Sequence, residues 1–91
     1  MNKEKQLYRA FLTLKSTKEV ENFLKDLCTV SELSDFADRL EIAGLLQDET
    51  LSYREIVERT GASLTTVTRV ARFLKKQDNN GYKIVLKRLR K

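Results

Sequence analysis

In the stretch "SLTTVTRVARFLK", residues 63–75, Ser63, Thr65, Thr66 and Thr68 supply hydroxyls, while Arg69, Arg72 and Lys75 supply cations. Such groups at helical spacing can hydrogen-bond to base edges and pair with phosphates. They lack the usual partners for bond-making chemistry. The chain has no His, its single Cys28 has no base beside it, and no Gly-rich phosphate loop occurs. Neither catalysis nor a metal site is expected from this inventory.

The charge pattern agrees. Residues 1–50 carry 7 Lys/Arg against 10 Asp/Glu, net −3, whereas residues 51–91 carry 11 against 3, net +8. The second half is therefore the part suited to a polyanion, although a basic surface with no such partner would look the same. A chain of 91 residues reads as a single helical domain, 1–91. Alone it would bury only about 60% of the surface its unfolded chain exposes, so association would help it. The absence of Pro and the presence of only three Gly favour long helices over a turn-rich sheet. No apolar run reaches the roughly 20 residues of a membrane span. No secretory signal pattern follows the basic start either, so a cytoplasmic address is expected and no membrane partner. Cys28, just after Leu27, reads as a small core residue rather than a reactive thiol.

The elements that must position the polar run follow from capping signals and apolar spacing. A first helix is expected over 4–15, with Leu7, Phe11 and Leu14 in line. Ser16–Glu19 and Thr29–Glu32 are capping boxes for a second helix and for a third over about 31–48. The stripe of the third helix is Leu33, Phe36, Ala37, Leu40 and Ala43. Residues 1–50 thus form a set of dimerisation helices if a second copy covers Leu7, Phe11, Leu14, Val20, Phe23 and Leu27. Folding back onto the chain's own core is the alternative. "QDNNGY" marks a turn before a C-terminal helix, 81–91, with Ile84, Val85 and Leu89 expected inward.

Between them, residues 52–76 read as a helix-turn-helix. Ser52–Glu55 caps a short helix ending near Thr60, Gly61 suits a left-handed turn, and Ser63 caps a second helix. Ile56, Ala62, Val67 and Val70 would meet where the two helices cross, with Ala71 and Leu74 continuing the buried stripe. Thr65, Thr66, Thr68, Arg69 and Arg72 would face outward, into a major groove. Lys75 would continue towards the flanking phosphates. Thr is a mediocre helix former, so a run of three on one helix argues for contact over an idle surface. Arg54 lies at the groove edge or simply in solvent.

"LSYREIVERTGASLTTVTRVARFLK" resembles the helix-turn-helix of the Trp repressor superfamily, particularly its TrpR-like YerC/YecD group. "SELSDFADRLEIAGLL" is similar to the long helix preceding it, and the likeness covers roughly residues 20–76. The resemblance implies an all-α, six-helix subunit in an intertwined homodimer. Its two reading heads would recognise a pseudo-palindromic site on double-stranded DNA, as a transcriptional regulator and repressor. In that family a threonine, an arginine before the motif and an arginine in the recognition helix line the tryptophan pocket. The matching positions are Thr29, Arg39 and Arg69. Arg39 could equally pair with Asp35 or Asp38. The family has Gly directly after the recognition-helix arginine, where this chain has Val70. A β-branched side chain would fill the indole slot, so L-tryptophan is not expected as a cofactor, and any small-molecule co-repressor is of unknown identity. The positions that read DNA in the family fall on Arg54, Thr65, Thr66 and Thr68, with Lys75 near phosphate. The rival reading is a dimeric helical protein-interaction module with a basic surface; aromatic and long apolar residues would then be expected where the threonines stand.

Overall fold

The computed structural model describes residues 2–90 and is all-α, with six helices. Met1 and Lys91, the ends of the expected domain, lie outside the described residues. The helices are α1 (Lys3–Leu12), α2 (Thr17–Leu27), α3 (Val30–Asp48), α4 (Tyr53–Thr60), α5 (Leu64–Lys75) and α6 (Gly81–Leu89). None is long and apolar enough to cross a membrane. The chain divides into two compact units, and the division falls within α3, between Ser34 and Asp35.

In the N-terminal unit, α1 stops at Leu12, three residues short of the expected end. The Thr13 hydroxyl donates to the Ala10 carbonyl at 2.7 Å, and the Thr13 and Leu14 amides make i−3 bonds. A side chain that competes for helix carbonyls at this point closes the last turn early. Ser16 accepts the Glu19 amide as predicted, but the Glu19 carboxylate reaches the Lys15 amide, one residue outside the helix. Thr29 and Glu32 form the full reciprocal box at the start of α3. Neither α1 nor α2 has a buried residue. Cys28 is half-buried at the end of α2, less enclosed than the core position expected of it.

Among the described residues, the C-terminal unit contains every buried hydrophobic one: Ile42, Ala43 and Leu46 of α3, Ile56 of α4, Val67, Val70, Ala71 and Leu74 of α5, and Leu86 of α6. The apolar stripe expected along α3 is therefore split, since Phe36, Ala37 and Leu40 are exposed and only Ala43 is enclosed. The last helix also differs in phase. Asn80 adopts a left-handed conformation (φ 61°) and starts α6 so that Tyr82 and Leu86 turn towards the core. Ile84, Val85 and Leu89, expected inside, are 46%, 44% and 64% exposed. Positions 82 and 86 are one helical turn apart, whereas 84 and 85 lie round the other side.

Candidate nucleic-acid interface

Local chemistry sets the two helices of the motif. The Ser52 Oγ accepts the Glu55 amide at 3.1 Å, and the Glu55 carboxylate accepts the Ser52 amide at 2.9 Å. The Ser52 amide, and after it the Ser52 hydroxyl, hold the Glu55 carboxyl below its ordinary pKa, because its charged form is the better acceptor. α4 ends at Thr60, whose hydroxyl donates to the Ile56 carbonyl and accepts the Ala62 amide. Gly61 follows at φ 77°, a conformation that L side chains rarely adopt. Ser63 then caps α5 by accepting the Thr66 amide at 3.1 Å. Ile56, Val67 and Val70 are at most 1% exposed, so α4 and α5 are held together by the apolar crossing that the spacing predicted.

With Val67, Val70, Ala71 and Leu74 inward, the opposite side of α5 faces outward. Ser63, Thr65, Thr68, Arg69, Arg72 and Lys75 are all exposed there. Leu64, Thr65, Thr68, Arg69 and Arg72 line one open hollow of about 350 Å³. The threonines are not equivalent. Thr66 is half-buried, its hydroxyl lies 3.0 Å from the Ser63 Oγ, and it lines a different hollow with Asp35 and Asp38. The Thr68 hydroxyl donates back to the Leu64 carbonyl at 2.8 Å, which leaves its methyl and a lone pair for an outside partner. Of the three, Thr65 is the one whose hydroxyl makes no hydrogen bond. The exposed Leu64 adds an apolar surface beside it that no sequence expectation included; an apolar contact of this kind matches a thymine methyl.

Phe73 is a second feature missed at the level of sequence. The Arg69 guanidinium lies 4.8 Å from the ring centroid and that of Arg72 lies 5.5 Å from it. A ring against two guanidinium groups restricts their rotamers while leaving their N–H donors free. The i, i+4 spacing of Arg69 and Phe73 was the available signal. Arg54 is exposed at the first turn of α4, with Glu58 3.9 Å away on the same helix.

Two of the positions matched to a ligand pocket come together in the C-terminal unit. Arg39 and Arg69 line one cavity of about 200 Å³ with Val70, Phe73 and Tyr82. Val70 and Tyr82 form part of its wall. The Arg39 guanidinium lies 5.7 Å over the Phe36 ring and makes no ion pair with Asp35 or Asp38. The Thr29 hydroxyl, in the N-terminal unit, accepts the Glu32 amide at 3.0 Å as the cap of α3.

The profile of the family described as Trp repressor protein matches residues 2–90. The chain is 39% identical over 85 residues to the protein YerC of Bacillus subtilis (strain 168), covering 93% of this chain and 80% of that one. It is 40% identical over 81 residues to a Trp operon repressor homolog of Chlamydia trachomatis serovar D, covering 85% of this chain and 86% of the relative. A crystal structure of a TrpR-like protein from Eubacterium eligens superposes with a TM-score of 0.85 at 40% identity, over 93% of this chain and 86% of that one. Six helices without a strand among the described residues, a capped helix pair around Gly61 and a match running from residue 2 to residue 90 place this chain in the Trp repressor family, within its TrpR-like YerC group.

Proposed function

We infer that this chain is a DNA-binding regulator of transcription that reads double-stranded DNA with α5. The observation that carries the reading is the outer side of α5, where Thr65, Thr68, Arg69 and Arg72 share one open hollow while the other side of the helix is fully enclosed. Arg69 and Arg72 supply fixed donors for guanine edges or phosphates, Thr65 a hydroxyl, and Thr68 and Leu64 apolar contact. Ser63 and the free amides of the first turn of α5 favour an approaching phosphate, and Lys75 and Arg54 flank the backbone. Membership of the Trp repressor family, and the repressor names of its relatives, support the same class of activity. A regulator of this kind has no catalytic step, and a cytoplasmic location follows from its target.

The working unit is a homodimer in this reading. The exposed Leu7, Phe11, Leu12 and Leu27 of α1 and α2 are the surface a second copy would cover, which makes residues 1–50 the dimerisation part and 52–76 the reading part. Two α5 helices related by a two-fold axis would then address half-sites one DNA turn apart. L-tryptophan is not part of the proposal, given the 200 Å³ cavity walled by Val70 and Tyr82.

Selection of bound duplexes from a random pool tests this directly. The expected result is a two-fold symmetric consensus. Recovery of no enriched sequence by a folded, dimeric protein would refute sequence-specific reading and favour a protein-interaction module with a basic surface.

A further inference from the structure

Away from the outer side of α5 and from the Arg39–Arg69 cavity, a larger cavity of about 540 Å³ opens between the C-terminal ends of α3 and α5 and one side of α6. Its floor is apolar, formed by Leu46 and Leu74, which are 2% and 4% exposed. Its rim is cationic. Lys83, Lys87 and Arg90 follow one another at steps of four and three, a single stripe of α6 and its end, and Lys75 joins them from α5. Arg90 is neutralised by Asp48 at 2.6 Å. Among the described residues the three lysines make no ion pair, and Glu49 is the one carboxylate of the lining. Gln47 lines the same cavity, and its Oε1 is buried with no hydrogen-bond partner.

We propose that this cavity binds a small amphipathic anion, a phosphate or carboxylate attached to an apolar or aromatic body. Volume separates it from its neighbour: small-molecule sites run to about 300–1,000 Å³, a range that includes this cavity and excludes the one at Arg39 and Arg69. Charge complementarity fixes the sign of the ligand. Three ammonium groups exceed the single Glu49, and Lys pairs with phosphate as a mobile point charge needing no fixed geometry. The floor fixes the remainder of the ligand. With the lysine stems around Leu46 and Leu74, the lining is more apolar than polar, a surface that an apolar body can cover and a sugar–phosphate backbone would not use. Apart from Lys75, none of these residues belongs to the proposed DNA surface, so the site does not depend on that reading.

The test is a phosphorus-detected NMR titration of the full chain with phenyl phosphate and with inorganic phosphate, repeated on the double substitution Lys83→Gln/Lys87→Gln. Phenyl phosphate is expected to bind about tenfold more tightly than inorganic phosphate, the difference being the burial of its ring. The double variant is expected to weaken phenyl phosphate roughly fivefold, with circular dichroism and duplex affinity unchanged. Lys87→Glu, a reversal at an exposed position, provides an independent variant and is expected to weaken it at least as much. Equal affinity for the two phosphates overturns the proposal, as does wild-type binding of phenyl phosphate by the lysine variants. Loss of duplex affinity with phenyl phosphate binding intact would assign the stripe to the DNA backbone instead, and also overturns it.

Discussion

The two compact units use the same amphipathic material to opposite ends. In the C-terminal unit, stripes on α3, α4, α5 and α6 close over one another and enclose Ile42, Ile56 and Val67 completely. In the N-terminal unit, stripes just as regular leave Leu12 84% exposed and Phe11 38% exposed, with Phe11 and Phe23 packed edge-on at 5.3 Å. Periodicity in a sequence therefore says which face of a helix is apolar, and says nothing about whose surface covers it. A second lesson is electrostatic. The acidity of the first half does not belong to α1 and α2: residues 35–50 hold five Asp/Glu against Arg39 alone, net −4. The contrast of sign thus lies within the C-terminal unit, between α3 and the helices that follow it. An acidic α3 disfavours approach of a polyanion from its side and leaves the outer side of α5, flanked by α4, as the receptive part.

The contrast can be broken first at its cores. Ile56→Ala should cost about 2–5 kcal/mol of unfolding free energy, because it opens a cavity in a closed core. Phe11→Ala should instead make the melting temperature fall more steeply on dilution, as expected when the covering surface is a second copy. Thermal melts at several protein concentrations distinguish the two. Identical concentration-independent losses would place both residues in one monomeric core. On the reading surface, Arg69→Ala should weaken duplex binding by about 1–3 kcal/mol if it makes a bidentate contact, with melting unchanged since the side chain is exposed. Fluorescence anisotropy gives the affinity, and an unchanged value removes Arg69 from the groove.

Smaller effects sharpen the local account. Gly61→Val should cost about 1–2 kcal/mol from its positive φ, since nothing lies within 4 Å of the added Cβ to clash with it. Denaturant unfolding measures this, and a neutral result would mean that the turn relaxes. Ser52→Ala should cost about 1 kcal/mol through the lost cap of α4. The smallest effect is that of pH. The amide bonds to Glu32 and Glu55 lower the pKa of both carboxyls. A depressed carboxyl stabilises the fold above its unfolded pKa, and that contribution disappears as pH falls through the folded value. Stability should therefore drop on acidification below the ordinary carboxylate range, and Glu55→Gln should flatten the Glu55 part of that drop. A profile identical to wild type would show that the box contributes nothing.

Much of the fold was legible because capping is local. Ser52–Glu55, Thr29–Glu32, Gly61 and Ser63 each announce a helix boundary through bonds made within four residues, and all four stand where the sequence placed them. The buried stripe of α5 was legible for a similar reason, since its period is fixed by one helix. Less legible was anything set by the phase of one helix against another. Leu86 and Tyr82, not Ile84 and Val85, face the core because Asn80 in its left-handed conformation starts α6. Within the candidate interface, residue types indicated the correct helix, but the fate of each hydroxyl depended on geometry. Thr66 and Thr68 both satisfy themselves on α5 and its cap, and Phe73 holds two arginines that spacing alone showed as separate polar groups.

The central claim is that the outer side of α5 meets the duplex. Backbone amide NMR of the labelled protein with a selected duplex tests it residue by residue. The account predicts the largest shifts from Ser63 to Arg72 and little change at Ile84, Val85 and Leu89. Saturable binding that leaves the amides of Ser63 to Arg72 unmoved would contradict it.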